Sequence, residues 1–262
     1  MLDGMYGLTA EIPAGTQTLA RGLSVVQAVA DGAVDLRSVA ERTDLGRSTA
    51  HRLIQLLLQQ GFLRLGTKGY SLGPALIDLG FKALHGNPLP VVARPVLEEL
   101  SAQVSDTVHL AVEDGGSVLY LDKLPGSRGA EMRSRIGYRM PLTRAGVGKA
   151  LLLDSADRWR DAFEADLAHP QLSPIAKDID VEDFCTRMRS YARRGAALDL
   201  EDNEPDIRCV AAPVRDVSGK IVGAISVSAT RPYMPSARMR GLVPVVSRAA
   251  GRISAALGYQ EN

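Results

Sequence analysis

Between Asp35 and Leu72 the apolar positions keep helical spacing, then switch to short alternating runs. Leu36, Val39, Ala40 and Thr43 recur three and four apart, and so do Ala50, Leu53, Ile54 and Leu57. That spacing predicts two amphipathic helices joined by Thr43-Asp44-Leu45-Gly46, the dimensions of a helix-turn-helix. Position 44 of such a turn often needs positive φ, which Asp tolerates less easily than Gly but better than most residues. Upstream, Gln17 to Ala30 reads as a first helix with Leu19, Leu23, Val26 and Val29 inward. Asp31-Gly32 breaks it, and Asp35 is placed to cap the second. Downstream, Phe62-Leu63-Arg64-Leu65 and Tyr70-Ser71-Leu72 flank Gly66-Thr67-Lys68-Gly69, which reads as a β-hairpin or wing. Ala75 to His85 is a helix with more apolar surface than one neighbour needs, suited to packing on a partner subunit as well.

After Gly86-Asn87-Pro88 and Pro90 the pattern changes. Val91 to Val104 is helical. Thr107 to Glu113 and Ser117 to Asp122 form a hairpin through Asp114-Gly115-Gly116, and Met132 to Ile136 reads as a third strand. Helices follow at Gly146 to Leu153, Ala156 to Leu167 and Val181 to Arg194. Strands follow at Ala197 to Leu200, Ile207 to Val214 and Ile221 to Ser228, with Ser236 to Leu257 as the closing helix. Hairpins interleaved with helices predict an α+β domain on an antiparallel sheet. Four segments result: a flexible arm at 1–15, a mainly α winged helix-turn-helix at 16–73, a linker helix at 74–87 and a second domain at 88–262.

Composition changes little. The 262 residues are enough for two ordinary domains, and the formal net charge is only +1, so any nucleic-acid site must be a local patch. Cys185 and Cys209 lie 24 positions apart without a CxxC, which argues against zinc or a disulfide framework and fits a reducing cytoplasm. With Asp3 and Glu11 near the start and no long apolar run, neither a signal peptide nor a membrane span is expected. No metal or cofactor is expected.

Local charge says more. From Leu45 to Leu72 there is no acidic residue, while Arg47, Arg52, Arg64 and Lys68 are basic. Arg47, Ser48, His51, Arg52 and Gln55 point away from the apolar face of the second helix, with Thr49 beside them. These are the donors that meet base edges and phosphates. Lys68, at the tip of the wing, is placed for a neighbouring phosphate. A three-helix module that binds another protein is the plainer alternative, and the missing acids speak against it.

In the second domain, Pro141-Leu-Thr-Arg-Ala-Gly-Val-Gly-Lys149 opens a helix whose free N–H groups would suit a carboxylate, although such glycines also serve close packing. It is not a P-loop, because the four-residue spacing and the hydroxyl after Lys149 are missing. On the strand from Ile221, period two puts Val222, Ala224, Ser226 and Ser228 on one face. Cys209 lies on the preceding strand, with Asp199 ten positions earlier. Two hydroxyls, a thiol and a carboxylate make either a small polar pocket or a sheet end that satisfies itself, and spacing leaves both open. A hydrolase using Cys209 would need His109 in reach and an oxyanion site, and the sequence shows neither. His51 sits on the second helix, His85 ends the linker and His169 falls in a loop, so no catalytic residue is assigned.

Taken together, Leu36-Arg-Ser-Val-Ala-Glu-Arg-Thr-Asp-Leu-Gly-Arg-Ser-Thr-Ala-His-Arg-Leu53, Gly69-Tyr-Ser-Leu-Gly-Pro74, Arg135-Ile-Gly-Tyr-Arg-Met-Pro-Leu142, Gly146-Val-Gly-Lys-Ala-Leu-Leu152, Asn203-Glu-Pro-Asp-Ile-Arg-Cys-Val-Ala-Ala-Pro-Val214 and Ala224-Ile-Ser-Val-Ser228 carry a resemblance. The chain resembles the IclR family of bacterial transcriptional regulators, in order from about residue 17 to Tyr259. Asp44 stands where the family often has Gly, and Arg144 where it often has a small or neutral residue. The resemblance implies a winged helix-turn-helix joined to a GAF-like effector domain, and a dimer or dimer of dimers on double-stranded operator DNA. It also implies regulation of a catabolic operon by a small carboxylate effector, a keto, sugar or aromatic acid. The effector's carboxylate would lie on the backbone of Gly146 and Val147, with Asp199, Cys209, Ser226 and Ser228 in contact. Leu142 and Ile207 would be apolar walls. The linker helix would be the lever.

Overall fold

The computed structural model describes residues 13, 15–85, 88–128, 132–168 and 179–260, without the side chains of 83–85. The expected arm at 1–15 therefore falls almost wholly outside the described residues, as do His169 and the Gly86-Asn87 break. The chain divides into two compact units, Met1–Gly86 and Asn87–Asn262.

The first unit runs α1 (Gln17–Ala30), α2 (Leu36–Thr43), α3 (Arg47–Gln59), β1 (Leu63–Gly66), β2 (Gly69–Leu72) and α4 (Pro74–His85). Its core is small: Val25, Ala28, Val29, Ala33, Val39, Ile54 and Leu63, flanked by half-buried Leu36, Leu53 and Leu57. Asp35 caps α2 in a reciprocal box. Its carboxylate accepts from Ser38 N (2.7 Å) while its own N–H donates to Ser38 Oγ (3.2 Å). Asp44 ends α2 in the left-handed region, φ 52°, as the tight turn requires. β1 and β2 pair antiparallel from Leu63↔Leu72 to Gly66↔Gly69, leaving Thr67 and Lys68 as a two-residue tip. Gly69 has φ +97°, and a Cβ there would stand 2.1 Å from Val34 O, so only glycine lets the wing close on the helices.

One expectation fails here. In α1 the inward residues are Val25, Ala28 and Val29, whereas Leu19 and Leu23 are 66% and 55% exposed. Periodicity predicts a core face that includes these large side chains, but this three-helix core is narrow enough that α1 fills its share with valine and alanine. The two leucines are left at the surface, as are Ile77, Leu79 and Phe81 of α4.

The second unit is a six-stranded antiparallel sheet, order β5-β4-β3-β8-β7-β6. Its strands are β3 (Thr107–Asp114), β4 (Ser117–Leu124), β5 (Arg139–Pro141), β6 (Ala197–Leu200), β7 (Ile207–Arg215) and β8 (Ile221–Thr230). α5 (Pro88–Val104) and α9 (Ser236–Ala256) cover one face, burying Val108, Leu110, Val210, Ile225 and Val227 between them. α6 (Gly146–Leu151), α7 (Trp159–Asp166) and α8 (Val181–Arg194) cover Ala111, Tyr120, Ala211 and Ala224 on the other. Strand alternation thus feeds two apolar layers.

Met132–Ile136 is not a strand, contrary to the expectation from its composition; the edge strand is Arg139–Pro141. The reason lies in its carbonyls. Lys123 Nζ donates to Met132 O (2.7 Å) and Ser134 O (2.6 Å), so an ammonium satisfies groups that a sheet neighbour would otherwise take. Gly137, at φ +82°, then turns the chain back toward β4.

Candidate functional site

In the first unit α3 packs Ala50 and Ile54 inward, with Leu53 and Leu57 half-buried. Arg47, Ser48, His51, Arg52 and Gln55 are exposed, and Thr49 is half-buried. No side chain caps the N-terminus of α3, where Gly46 is the N-cap, so its first N–H groups stay open to an acceptor. Among the described residues no salt bridge engages Arg47, Arg52 or Lys68, whereas Arg37 on α2 is tied to Glu41. Lys68 is exposed at the wing tip. The surface therefore offers uncompensated positive charge and mixed hydrogen-bond donors on a helix that can enter a groove.

In the second unit register builds the site. Asp199 faces Cys209, Cys209 faces Ser228, and Ser226 faces His109 across neighbouring strands. These side chains open on a cavity of about 300 Å³. Tyr120, Met132, Arg133, Ser134, Tyr138, Met140, Ala145, Gly146, Val147, Asn203, Glu204, Pro205 and Ile207 complete its walls. Gly146, Val147, Asp199, Cys209, Ser226 and Ser228, singled out from the sequence, thus come together around one space. Leu142 does not line it. Leu142 is buried in the core under α6, and a Cβ on Gly148 would stand 2.1 Å from its carbonyl oxygen. A Cβ on Gly146 would meet Cys209 Sγ at 2.1 Å, so both glycines of the Gly-Val-Gly run serve close packing. A wider depression of about 710 Å³, bordered by Lys123 and the 132–136 segment, lies on the surface and gathers none of the six residues.

The electrostatics are those of a binding site without a nucleophile. Burial, reinforced by Asp199, pushes the Cys209 thiol up to about 12. Burial, with Lys123 nearby, holds His109 down at about 3, so its imidazole is neutral. Its Nε2 lies 2.7 Å from Ser134 Oγ and its Nδ1 3.5 Å from Ser226 Oγ, and its ring tilts against Tyr120 at 4.9 Å between centroids. Asp199 is pushed up to about 6 by burial, against the pull of Lys149, and accepts from Asp202 N at 2.8 Å. Behind it Lys149 is buried. Burial opposes its charge, but Asp202 and Asp199 together hold its pKa above the ordinary value. Lys149 is ion-paired to Asp202, whose other oxygen accepts from Arg187 at 2.9 Å. Arg144 is buried away from the cavity walls, its guanidinium 5.0 Å from the Phe163 ring centre.

Sequence reasoning passed over several wall residues: His109 as a wall rather than a core group, Tyr120, Ser134, Tyr138, Asn203 and Glu204. His109 was findable, since it shares the Ser226 row of the sheet, and so was Tyr120, from the alternation along β4; the others come from loops whose positions no periodicity encodes. Among the described residues no group of three His, Cys, Asp or Glu side chains is arranged to hold a metal ion. Nor is any helix long and apolar enough to cross a membrane.

A winged helix-turn-helix with an open basic recognition helix, and a second unit whose antiparallel sheet encloses a small polar cavity, define a one-component regulator: one half for DNA, the other for a small molecule. Comparison with known proteins agrees. The C-terminal model of the bacterial transcriptional regulator IclR matches residues 81–255, and the IclR helix-turn-helix domain matches 18–65. The chain belongs to the IclR family of DNA-binding transcriptional regulators, which are not enzymes. It is 27% identical over 247 residues to the HTH-type transcriptional regulator XynR of Escherichia coli K12, covering 93% of this chain and 98% of that one. The crystal structure of the Thermotoga maritima IclR superposes with a TM-score of 0.78 at 25% identity, covering 93% of this chain and all of that one (100%). An IclR homolog from Microbacterium hydrocarbonoxydans, crystallised with 4-hydroxybenzoate, matches with a TM-score of 0.73 at 25% identity, covering 92% of this chain and 98% of that one.

Proposed function

We propose that this regulator controls a catabolic operon by binding a pseudo-palindromic operator, with affinity set by a small organic acid held in the cavity of the second unit. The observation that carries the reading is the pairing, in one chain, of an outward α3 with unpaired Arg47 and Arg52 and a cavity lined by Asp199, Cys209, Ser226 and Ser228. Arg47 and Arg52 contact bases or phosphates; Ser48, Thr49, His51 and Gln55 fix register; Lys68 reaches a flanking phosphate. Gly146 and Val147 offer backbone to the acid, beside the four polar side chains. The organic acid bound by the Microbacterium homolog supports this class of effector.

Self-association belongs to the reading. Leu19 and Leu23 of α1 and Ile77 and Phe81 of α4 expose apolar surface that a second copy would cover. A two-fold dimer sets its recognition helices about 34 Å apart, in successive major grooves, and two dimers make the tetramer. Acting on chromosomal DNA, the protein works in the cytoplasm. The acid shifts operator affinity only through unequal affinity for two arrangements of the assembly, and the segment 74–87 is the element that couples them.

The test is a titration, at fixed salt, of a duplex selected by the protein from a random pool. Wild type is expected to hold this duplex far more tightly than random DNA, with Arg52→Ala at least tenfold weaker. Equal affinity for selected and random duplexes would contradict the proposed function. If Arg52→Ala binds like wild type, the assignment of the reading face is wrong.

A further inference from the structure

We propose that the effector is a polyhydroxylated carboxylic acid, and that Asn203, through its side-chain carbonyl, is the residue that selects a hydroxyl on it. The proposal deepens the reading of the cavity as an effector site and rests on it. Asn203 is only 8% exposed and lines the cavity, and its Oδ1 has no hydrogen-bond partner among the described residues. A buried carbonyl left without a donor is costly, so an occupant that supplies one gains correspondingly.

The loop that presents Asn203 is held in place. Glu201 and Asp206, on either side of it, have φ of 71° and 62°, backbone that non-glycine residues rarely adopt. Between them Asp202 is pinned by both Lys149 and Arg187. A strained backbone fastened by a buried ion cluster holds the loop that carries Asn203.

The same walls are rich in acceptors. Asp199 and Glu204 are carboxylates, and Arg133, with Nε 4.0 Å from Glu204 Oε1, is the one arginine or lysine on the walls among the described residues. A keto acid brings only acceptors to these groups, and an unsubstituted aryl acid brings an apolar edge. Either leaves the Asn203 carbonyl unmet. An alcohol hydroxyl donates to it without the desolvation that an ammonium would suffer. Ser226 and Ser228 give or receive with further hydroxyls. A cavity of about 300 Å³ stands at the small end of ligand sites, which suits a short polar chain.

Calorimetric titration of the full-length protein tests this with four sodium salts: D-gluconate, pyruvate, benzoate and 6-aminohexanoate. Gluconate is expected to bind at least tenfold more tightly than the other three. Asn203→Leu is expected to weaken gluconate about tenfold, the worth of one good hydrogen bond, without lowering Tm, because it removes an unpaired polar group. Tighter or equal binding of pyruvate, benzoate or 6-aminohexanoate by wild type overturns the proposal, and this arm needs no variant to fold. So does an unchanged gluconate affinity in Asn203→Leu. If one of those other acids binds and Ser226→Ala abolishes it, the hydroxyl selection falls while the effector cavity stands. If no acid binds, or binding ignores Ser226→Ala, the cavity reading falls and takes the proposal with it.

Discussion

The two units place their polar candidate residues on opposite sides of the same physical divide. In the first, Arg47, Arg52 and Gln55 stand in water on a helix whose other face is core, and nothing in the fold depends on them. In the second, Asp199, Ser226, Ser228 and Lys149 are buried, and each must be paired or solvated by a ligand. A DNA-reading surface can be rewritten without refolding the protein. A buried polar cavity cannot, because the groups that line it belong to the interior.

The sharpest contrast is thermal. Lys149→Met removes one of the two cations on buried Asp202, and is expected to cost about 3–5 kcal/mol and lower Tm markedly. Arg52→Ala should leave Tm where it was. A Lys149→Met protein as stable as wild type would mean that the buried cluster does not hold the Asp202 loop.

A second contrast lies in pH. Asp199 sits near 6 when folded against an ordinary 3.8, so the native state binds the extra proton between those values. Its contribution is therefore greatest below pH 3.8 and is lost as pH rises through about 6, a change of about 3 kcal/mol. Asp199→Asn should gain stability over wild type across that window in urea melts at stepped pH. Parallel curves for the two proteins would contradict the burial argument. His109 has the opposite slope: held near 3 against 6.5, it withdraws stability as pH falls below 6.5.

In the first unit the effects should appear in binding alone. Arg52→Ala is expected to cost about 1–3 kcal/mol of operator affinity. Lys68→Ala is expected to be milder, lowering the slope of log affinity against log salt by about one without altering sequence preference. A change of preferred sequence in Lys68→Ala would place the wing tip on base edges.

This divide also explains what was legible in the sequence. α3 was readable because Ala50, Leu53, Ile54 and Leu57 share one face and, Leu56 apart, the exposed residues are polar. The row of Ser226 and Ser228 was readable because strands alternate. Leu19 and Leu23 were misassigned because periodicity gives a face but not the width of the core it meets. Met132–Ile136 was misread because a single ammonium, from Lys123, took the place of a neighbouring strand. Asn203 was invisible: its place on the wall comes from a strained loop and from the Asp202 ion pair with Lys149, 54 positions before Asn203 in the chain.

The most direct test of the account measures operator affinity with and without a bound acid, in wild type and in the Ser226→Ala, Ser228→Ala double variant. The account predicts that the variant holds the operator as wild type does without acid and no longer responds when acid is added. An acid that changes operator affinity equally in both proteins would contradict it, since the signal would then enter somewhere other than the cavity.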